Sequence, residues 1–160
     1  TERIKAVIFF GKTGEIDLYG RDWDKPLPFP YWFQKNAIRK AYKGTLDNKY
    51  EKLSQYKFAF AIENCELPSY ITEKIHDCLY VGTVPIYLGA PDIEKFIPKN
   101  CFIDMRDFKN YQELRKFLKS LTESEIKNYR ENGRRFLESE KVTAFTKEPF
   151  VEKFVEACFK

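Results

Sequence analysis

Three observations predict an α/β layered fold built on a parallel sheet. Residues 56–62 are apolar apart from Lys57, and the run stops abruptly at Glu63 and Asn64. Ile71, Ile75, Cys78 and Leu79 then fall at i, i+4, i+7 and i+8, which is one apolar face of a helix. A second short apolar run, Val84–Leu88, follows and is closed by Gly89, Ala90 and Pro91. Two buried strands joined by a helix make a parallel, right-handed βαβ unit. Strands interleaved with helices elsewhere in the chain complete the layered pattern.

Taken in order, residues 3–10 carry Ile4, Val7 and Ile8. Their β-branched side chains favour a strand and their i, i+3, i+4 spacing favours a helix. Gly11 to Gly14 reads as a turn, and residues 15–19 alternate like a short strand ended by Gly20. Residues 21–30 form a loop rich in proline and charge, 31–42 a helix, and 47–55 a short helix capped by Asp47. In the central unit, Cys65 to Ser69 with Pro68 is the crossing loop, Ser69 the N-cap and Gly82 the helix stop. Phe102 and Ile103 form a brief strand after a turn at Pro98, Lys99 and Asn100. Asn110 caps a helix whose face is Leu114, Phe117, Leu118 and Leu121. Thr122 with Glu125 is a capping box opening a helix to about Glu138. Glu148 and Pro149 start a last helix striped by Phe150, Phe154, Val155 and Phe159.

At 160 residues the chain is one domain by length, long enough for a real core. A hydrophobic content of 43% excludes disorder as the default, and the Phe and Tyr excess suits a packed α/β core. Net charge is +4, but 28 basic against 24 acidic residues is nearly balanced, so nucleic acid is not an expected partner. Cys65, Cys78, Cys101 and Cys158 form no CxxC pair and there is one histidine, which speaks against zinc. Buried free thiols are the expectation, and the wide spacing leans towards a reducing compartment. No apolar run is long enough to cross a bilayer. The chain opens mid-pattern at Thr1, as an excised piece would.

In open α/β sheets ligands sit beyond the carboxyl ends of the strands. That is where Glu63, Asn64, Tyr70, Thr72, Glu73, Lys74 and Gly89 collect. The same stretch carries Tyr56-Lys57-Phe58, Glu63-Asn64, Tyr70-Ile71-Thr72-Glu73-Lys74, then Gly82-Thr83-Val84-Pro85-Ile86 and Gly89. This ordered series resembles the signature of the α-1,3/1,4-fucosyltransferases, glycosyltransferase family ten, and the Phe-Ile-Pro, Phe-Ile-Asp and Asp107-Phe108 segments extend it. Two departures are mild: Ile62 replaces the usual Phe, and Ser69 replaces an acidic residue or Gly.

The resemblance implies a Rossmann-like parallel sheet flanked by helices, the C-terminal half of a GT-B glycosyltransferase. Residues 1–160 would then be the GDP-fucose-binding domain, with an acceptor-binding N-terminal domain, the source of the general base, outside this chain. Fucose would pass with inversion to N-acetylglucosamine, or to glucose, of a glycan acceptor. No cofactor and no metal is strictly required, the donor being GDP-fucose. The compartment stays open: bacterial cytoplasm or inner-membrane periphery, or a Golgi membrane, with membrane association only through segments outside this chain.

A GDP-sugar must be gripped by its diphosphate while negative charge grows on the leaving group, a task for cations and helix N-terminal amides. Lys74, in the first turn of the central helix, is misplaced for the helix dipole, and an anionic diphosphate explains it better than solvent. The resemblance makes Arg3 a phosphate-binding arginine, able to fork onto a diphosphate. It gives Glu73 a role in accepting hydrogen bonds from the sugar or stabilising an oxocarbenium-like transition state. It also makes Asn64 and Tyr70 donor contacts, and gives Gly89 a close backbone approach to the ligand. Arg3, Glu73 and Lys74 are therefore the expected catalytic set, and Arg3, Asn64, Tyr70, Glu73 and Lys74 the donor-binding set. Each has an ordinary alternative: a solvated cation, a first-turn glutamate, a strand stop, a turn glycine. Asp22-Trp23-Asp24 spells a metal-binding DxD, but so short a match arises by chance. His76 reads as a helix-surface histidine. The competing functions are a domain for another nucleotide sugar, a non-catalytic sugar- or nucleotide-binding relative, and a plain α/β nucleotide-binding module.

Overall fold

A computed structural model describes residues 1–25, 29–145, 151 and 155–156. It divides the chain into two units, one of Thr1–Lys52 with Phe108–Lys119, the other of Leu53–Asp107 with Ser120–Lys160. The last helix, opening at Glu148, falls on residues almost all outside those described, as do Phe150, Phe154, Phe159 and Cys158.

In the first unit the ambiguous stretch resolves as a helix, α1 (Glu2–Thr13). Ala6, Val7 and Phe10 are buried together on it, so the 3.6-residue spacing overrides the β-branched preference. Gly11 does not turn the chain. It lies inside α1, where an added Cβ would stand 2.5 Å from the Ala37 carbonyl oxygen. Ala37 belongs to α2 (Lys35–Ala41), which follows a single tight turn over Tyr31–Gln34, so glycine permits the close approach of two helices. The turn comes at Gly14, in the left-handed region at φ 72°. Residues 15–19 form no strand; Leu18 makes only an isolated bridge to Tyr42. The short α3 (Lys49–Leu53) is capped by Asn48 rather than Asp47, its Oδ1 accepting from the Tyr50 and Glu51 amides.

The second unit holds the sheet. β1 (Phe58–Ile62), β2 (Val84–Leu88) and β3 (Ile103–Asp104) run parallel in the order β1-β2-β3. Between β1 and β2 runs α4 (Glu73–Val81), stopped by Gly82 at φ 77° as the sequence indicates. Pro85 sits in the central strand at no cost. The Val84 amide donates to the Lys57 carbonyl, so alternation turns the Pro85 nitrogen to the other edge, where pairing with β3 begins only at Ile86. The core gathers Ala61, Ile75, Leu79, Tyr87, Ile93, Phe102 and Phe136, the last from α6 (Glu123–Leu137).

Asn110 caps α5 (Tyr111–Ser120) through Oδ1, which accepts from the Glu113 amide. The capping box of α6 is present: the Glu125 amide donates to Thr122 Oγ1 at 3.3 Å and the Thr122 amide to Glu125 at 2.8 Å. Thr122→Ala should therefore cost about 1 kcal/mol of stability, visible as a lower thermal midpoint; an unchanged midpoint would mean the cap is idle. Cys78 and Cys101 are buried free thiols, burial pushing Cys101 up to about 11, but Cys65 is exposed, contrary to expectation. Among the described residues no helix is long and apolar enough to cross a membrane.

Candidate functional site

The connection from β1 to α4 is held at two points by carboxylates. At its base stands Glu63, one residue past β1, whose amide still donates to the Leu88 carbonyl and so continues the ladder. That continuation turns its side chain inward, where it is fully buried. Near the tip, Ser69 adopts φ 61°, rare for a residue with a side chain. Asp92 holds it there, Oδ1 accepting from the Ser69 amide at 2.7 Å and Oδ2 from its hydroxyl at 3.2 Å. The Ser69 amide bond, first among the causes, draws the Asp92 carboxyl below its ordinary range.

This clamp moves the start of the helix. Ser69 is not the N-cap; Thr72 is. Yet Thr72 makes no capping hydrogen bond with its side chain, because the hydroxyl is drawn to Glu63. Glu63 Oε1 also accepts from the Thr72 amide at 2.9 Å, and Oε2 from Lys74 Nζ at 2.8 Å. Lys74 donates in addition to Thr72 Oγ1 at 2.8 Å. The proton count closes: the threonine hydroxyl gives its one proton to the carboxylate and takes one from the ammonium.

The cation at the helix N-terminus thus has an internal anion. Lys74 has an internal partner in Glu63, a third explanation of its place beside the diphosphate and the solvent weighed from the sequence. The pair still does not silence the lysine. Two of its three hydrogens are committed, its side chain remains 25% exposed, and the Glu73 carboxylate lies 3.8 Å away. Nor does the Thr72 side chain cap the amides of Lys74 and Ile75, and a helix N-terminus without that cap favours an anion.

Of the predicted residues, Asn64, Tyr70, Glu73 and Lys74 are brought together on this one connection. Asn64 and Tyr70 are exposed, and Glu73 is the first residue of α4. Arg3 lies in the first unit, half-buried in the opening turn of α1. His76 is not a free surface histidine. Its Nδ1 donates to the Thr72 carbonyl at 3.1 Å, its ring packs on Phe145 at 4.4 Å, and Nε2 is buried. Asp22 of the DxD triplet is exposed and ion-paired with Lys25.

Gly89 meets protein rather than a turn requirement. A Cβ there would lie 2.5 Å from Glu63 Cγ and closer still to the Tyr87 hydroxyl. That hydroxyl accepts from the Ala90 amide at 2.9 Å, while burial, ahead of every other influence, pushes the phenol up to about 12. Sequence reasoning placed Glu63 and Thr72 near the site without assigning them work, and it missed Asp92. One signal pointed to Glu63: a lone acid closing an apolar strand, eleven residues before an oddly placed lysine.

Known proteins resemble the chain as follows. The family model for "Glycosyltransferase family 10 (fucosyltransferase) C-term" matches residues 1–160. The Alpha-(1,3)-fucosyltransferase FucT of Helicobacter pylori is 39% identical over 85 residues, 53% of this chain and 18% of that protein. The Alpha-(1,4)-fucosyltransferase of Arabidopsis thaliana is 39% identical over 93 residues, 58% of this chain and 22% of that protein. An alpha1,3-fucosyltransferase crystal structure with GDP is similar at a TM-score of 0.50 and 35% identity, over 54% of this chain and 26% of that one. The chain therefore spans about a fifth of the length of the curated relatives it matches.

Proposed function

Since the chain belongs to glycosyltransferase family 10, by its C-terminal fucosyltransferase segment, we propose that it is the donor-binding part of an inverting fucosyltransferase. The donor is GDP-fucose, and the product carries fucose in α-1,3 or α-1,4 linkage on N-acetylglucosamine or glucose of a glycan. One observation supports this above the rest: the uncapped N-terminus of α4 beside an ammonium that is anchored yet still exposed. Such a combination suits a diphosphate, because amides and cation converge where charge grows as the bond to the sugar breaks.

In the reaction an acceptor hydroxyl oxygen attacks the anomeric carbon of fucose. The bond from that carbon to the β-phosphate oxygen breaks, and its electron pair leaves with GDP. The hydroxyl proton goes to a general base. Lys74 and the first-turn amides of α4 hold the diphosphate and carry its growing charge, so the reading calls for no metal. Glu73, one residue before Lys74 and exposed, faces the sugar's developing positive charge, and Asn64 and Tyr70 hold the nucleotide sugar from the loop.

Calorimetric titration with GDP and UDP tests the reading. GDP is expected to bind and UDP to bind at least tenfold more weakly. At a hundredfold excess over its Kd, GDP should add about 2.7 kcal/mol of stability. A folded sample that ignores GDP overturns the assignment, and a preference for UDP moves it to another nucleotide sugar.

A further inference from the structure

Resting on the donor-site reading above, we infer that Glu63 is a positioning residue for the transfer reaction. It acts through Lys74, holding the ammonium where the leaving diphosphate needs it, and it keeps the Thr72 hydroxyl off the α4 amides.

The carboxylate is placed for this and for little else. Its side chain has no exposure, and among the described residues it receives donors from Thr72 and Lys74, through four contacts of 2.8 to 2.9 Å. It cannot drift. Its Cγ stands against Gly89, where even a methyl group would not fit, and its amide is fixed in the ladder with Leu88. A rigid strand thus carries the anion, and the anion determines where a flexible lysine ends. A long lysine side chain has much rotamer entropy to lose on being ordered. A lysine already held loses none of it when the transition state forms, which is the preorganisation that electrostatic catalysis requires.

The second effect concerns the helix. A threonine at the N-cap ordinarily turns its oxygen onto the N2 or N3 amide. Glu63 takes the hydroxyl proton instead, and its other oxygen takes the Thr72 amide, so the hydroxyl and amide face the carboxylate. The amides of Lys74 and Ile75 are left without that cap. One buried carboxylate therefore draws off the capping hydroxyl, orients a cation and leaves the Lys74 and Ile75 amides without that cap, three changes that all favour an anion.

The test compares the full-length protein with Glu63→Gln, Lys74→Ala and the double variant. GDP affinity, kcat, KM for GDP-fucose and thermal midpoint are measured for each. Glutamine keeps the size and can still accept from Thr72, but its amide nitrogen cannot accept from Lys74. Glu63→Gln should lower kcat by about 30-fold, while KM moves less than about threefold because the added net positive charge supports ground-state binding. The double variant should be no slower than Lys74→Ala alone, since a residue acting through another contributes nothing once that other is gone. A kcat within about threefold of wild type for Glu63→Gln, or losses that multiply in the double variant, overturns the inference.

Should Glu63→Gln fail to fold, Thr72→Val and Thr72→Ser take its place. Serine keeps the hydroxyl between carboxylate and ammonium and should retain kcat, whereas valine should lose about tenfold; equal rates for the two overturn the inference. Failure of the wild type itself to bind GDP removes the donor-site reading and this one with it. Wild-type binding with multiplicative losses removes the positioning role alone.

Discussion

Lys74→Ala is expected to slow fucosyl transfer by about 10²–10³-fold, the scale of removing one aligned donor from the growing charge of a transition state. The loss should fall on kcat more than on GDP affinity. The ammonium already faces the buried carboxylate of Glu63 in the ground state, and its remaining hydrogen gains most when charge develops on the leaving diphosphate. A second consequence separates this lysine from a solvated one. Among the described residues, its removal leaves the Glu63 carboxylate with the Thr72 amide and hydroxyl as partners. Breaking a buried pair from one side costs about 3–5 kcal/mol, and the 25% exposure of the lysine, which lets water into the gap, argues for about 1–3 kcal/mol instead. Adding Glu63→Gln should restore most of that stability, because a neutral amide tolerates the vacancy, and restore none of the activity. Thermal melts and steady-state rates on the two variants decide it. An alanine variant with wild-type turnover would remove Lys74 from the mechanism.

The setting of Lys74 was half legible in the sequence. Its place in the first turn of a helix could be read from the spacing of Ile71, Ile75, Cys78 and Leu79, and the clash with the helix dipole follows from that place alone. What offsets the clash could not be read. Glu63 reaches Lys74 only because β1 and α4 fold back on each other through the crossing loop, and no local pattern encodes that return. The N-cap shows the same limit. Ser69 has the right chemistry, but Asp92, 23 residues on, holds it at positive φ and postpones the helix to Thr72. Where the deciding forces are local, expectation and structure agree: Gly82 ends α4 because glycine accepts a left-handed φ, and Thr122 with Glu125 opens α6 reciprocally. Where two local tendencies compete, as in α1, the buried face made by Ala6, Val7 and Phe10 breaks the tie, and that face depends on what lies against it. The exposed loop carrying Asn64 and Tyr70 was found by its residue types, which tertiary packing does little to alter.

Gly89→Ala should damage the fold and the site together, because one methyl group strikes the residue that orders both. Gly89 is buried one residue past β2, and its φ is not in the left-handed region, so the constraint on it is steric and not conformational. The added carbon would stand 2.5 Å from Glu63 Cγ and 2.8 Å from Tyr87 Cζ. Neither neighbour can step aside. Tyr87 is wholly buried, meets Phe102 edge-on at 5.8 Å, and accepts the Ala90 amide through its hydroxyl. Glu63 is bound to Thr72 and Lys74. Overpacking of this kind costs about 1–3 kcal/mol, and in a chain of this length each kcal/mol lowers the thermal midpoint by about 2–4 °C. Displacing Glu63 also frees Lys74, so kcat should fall by about tenfold or more even at temperatures where the variant is fully folded. Gly133→Ala supplies the control. Its methyl would meet only the Leu79 side chain, at 2.9 Å from Cδ2, the far end of a flexible group. That variant should keep wild-type turnover when folded, whatever it does to the midpoint. If both variants lose stability and neither loses turnover, Gly89 serves packing alone and the link from β2 through Glu63 to the ammonium is broken.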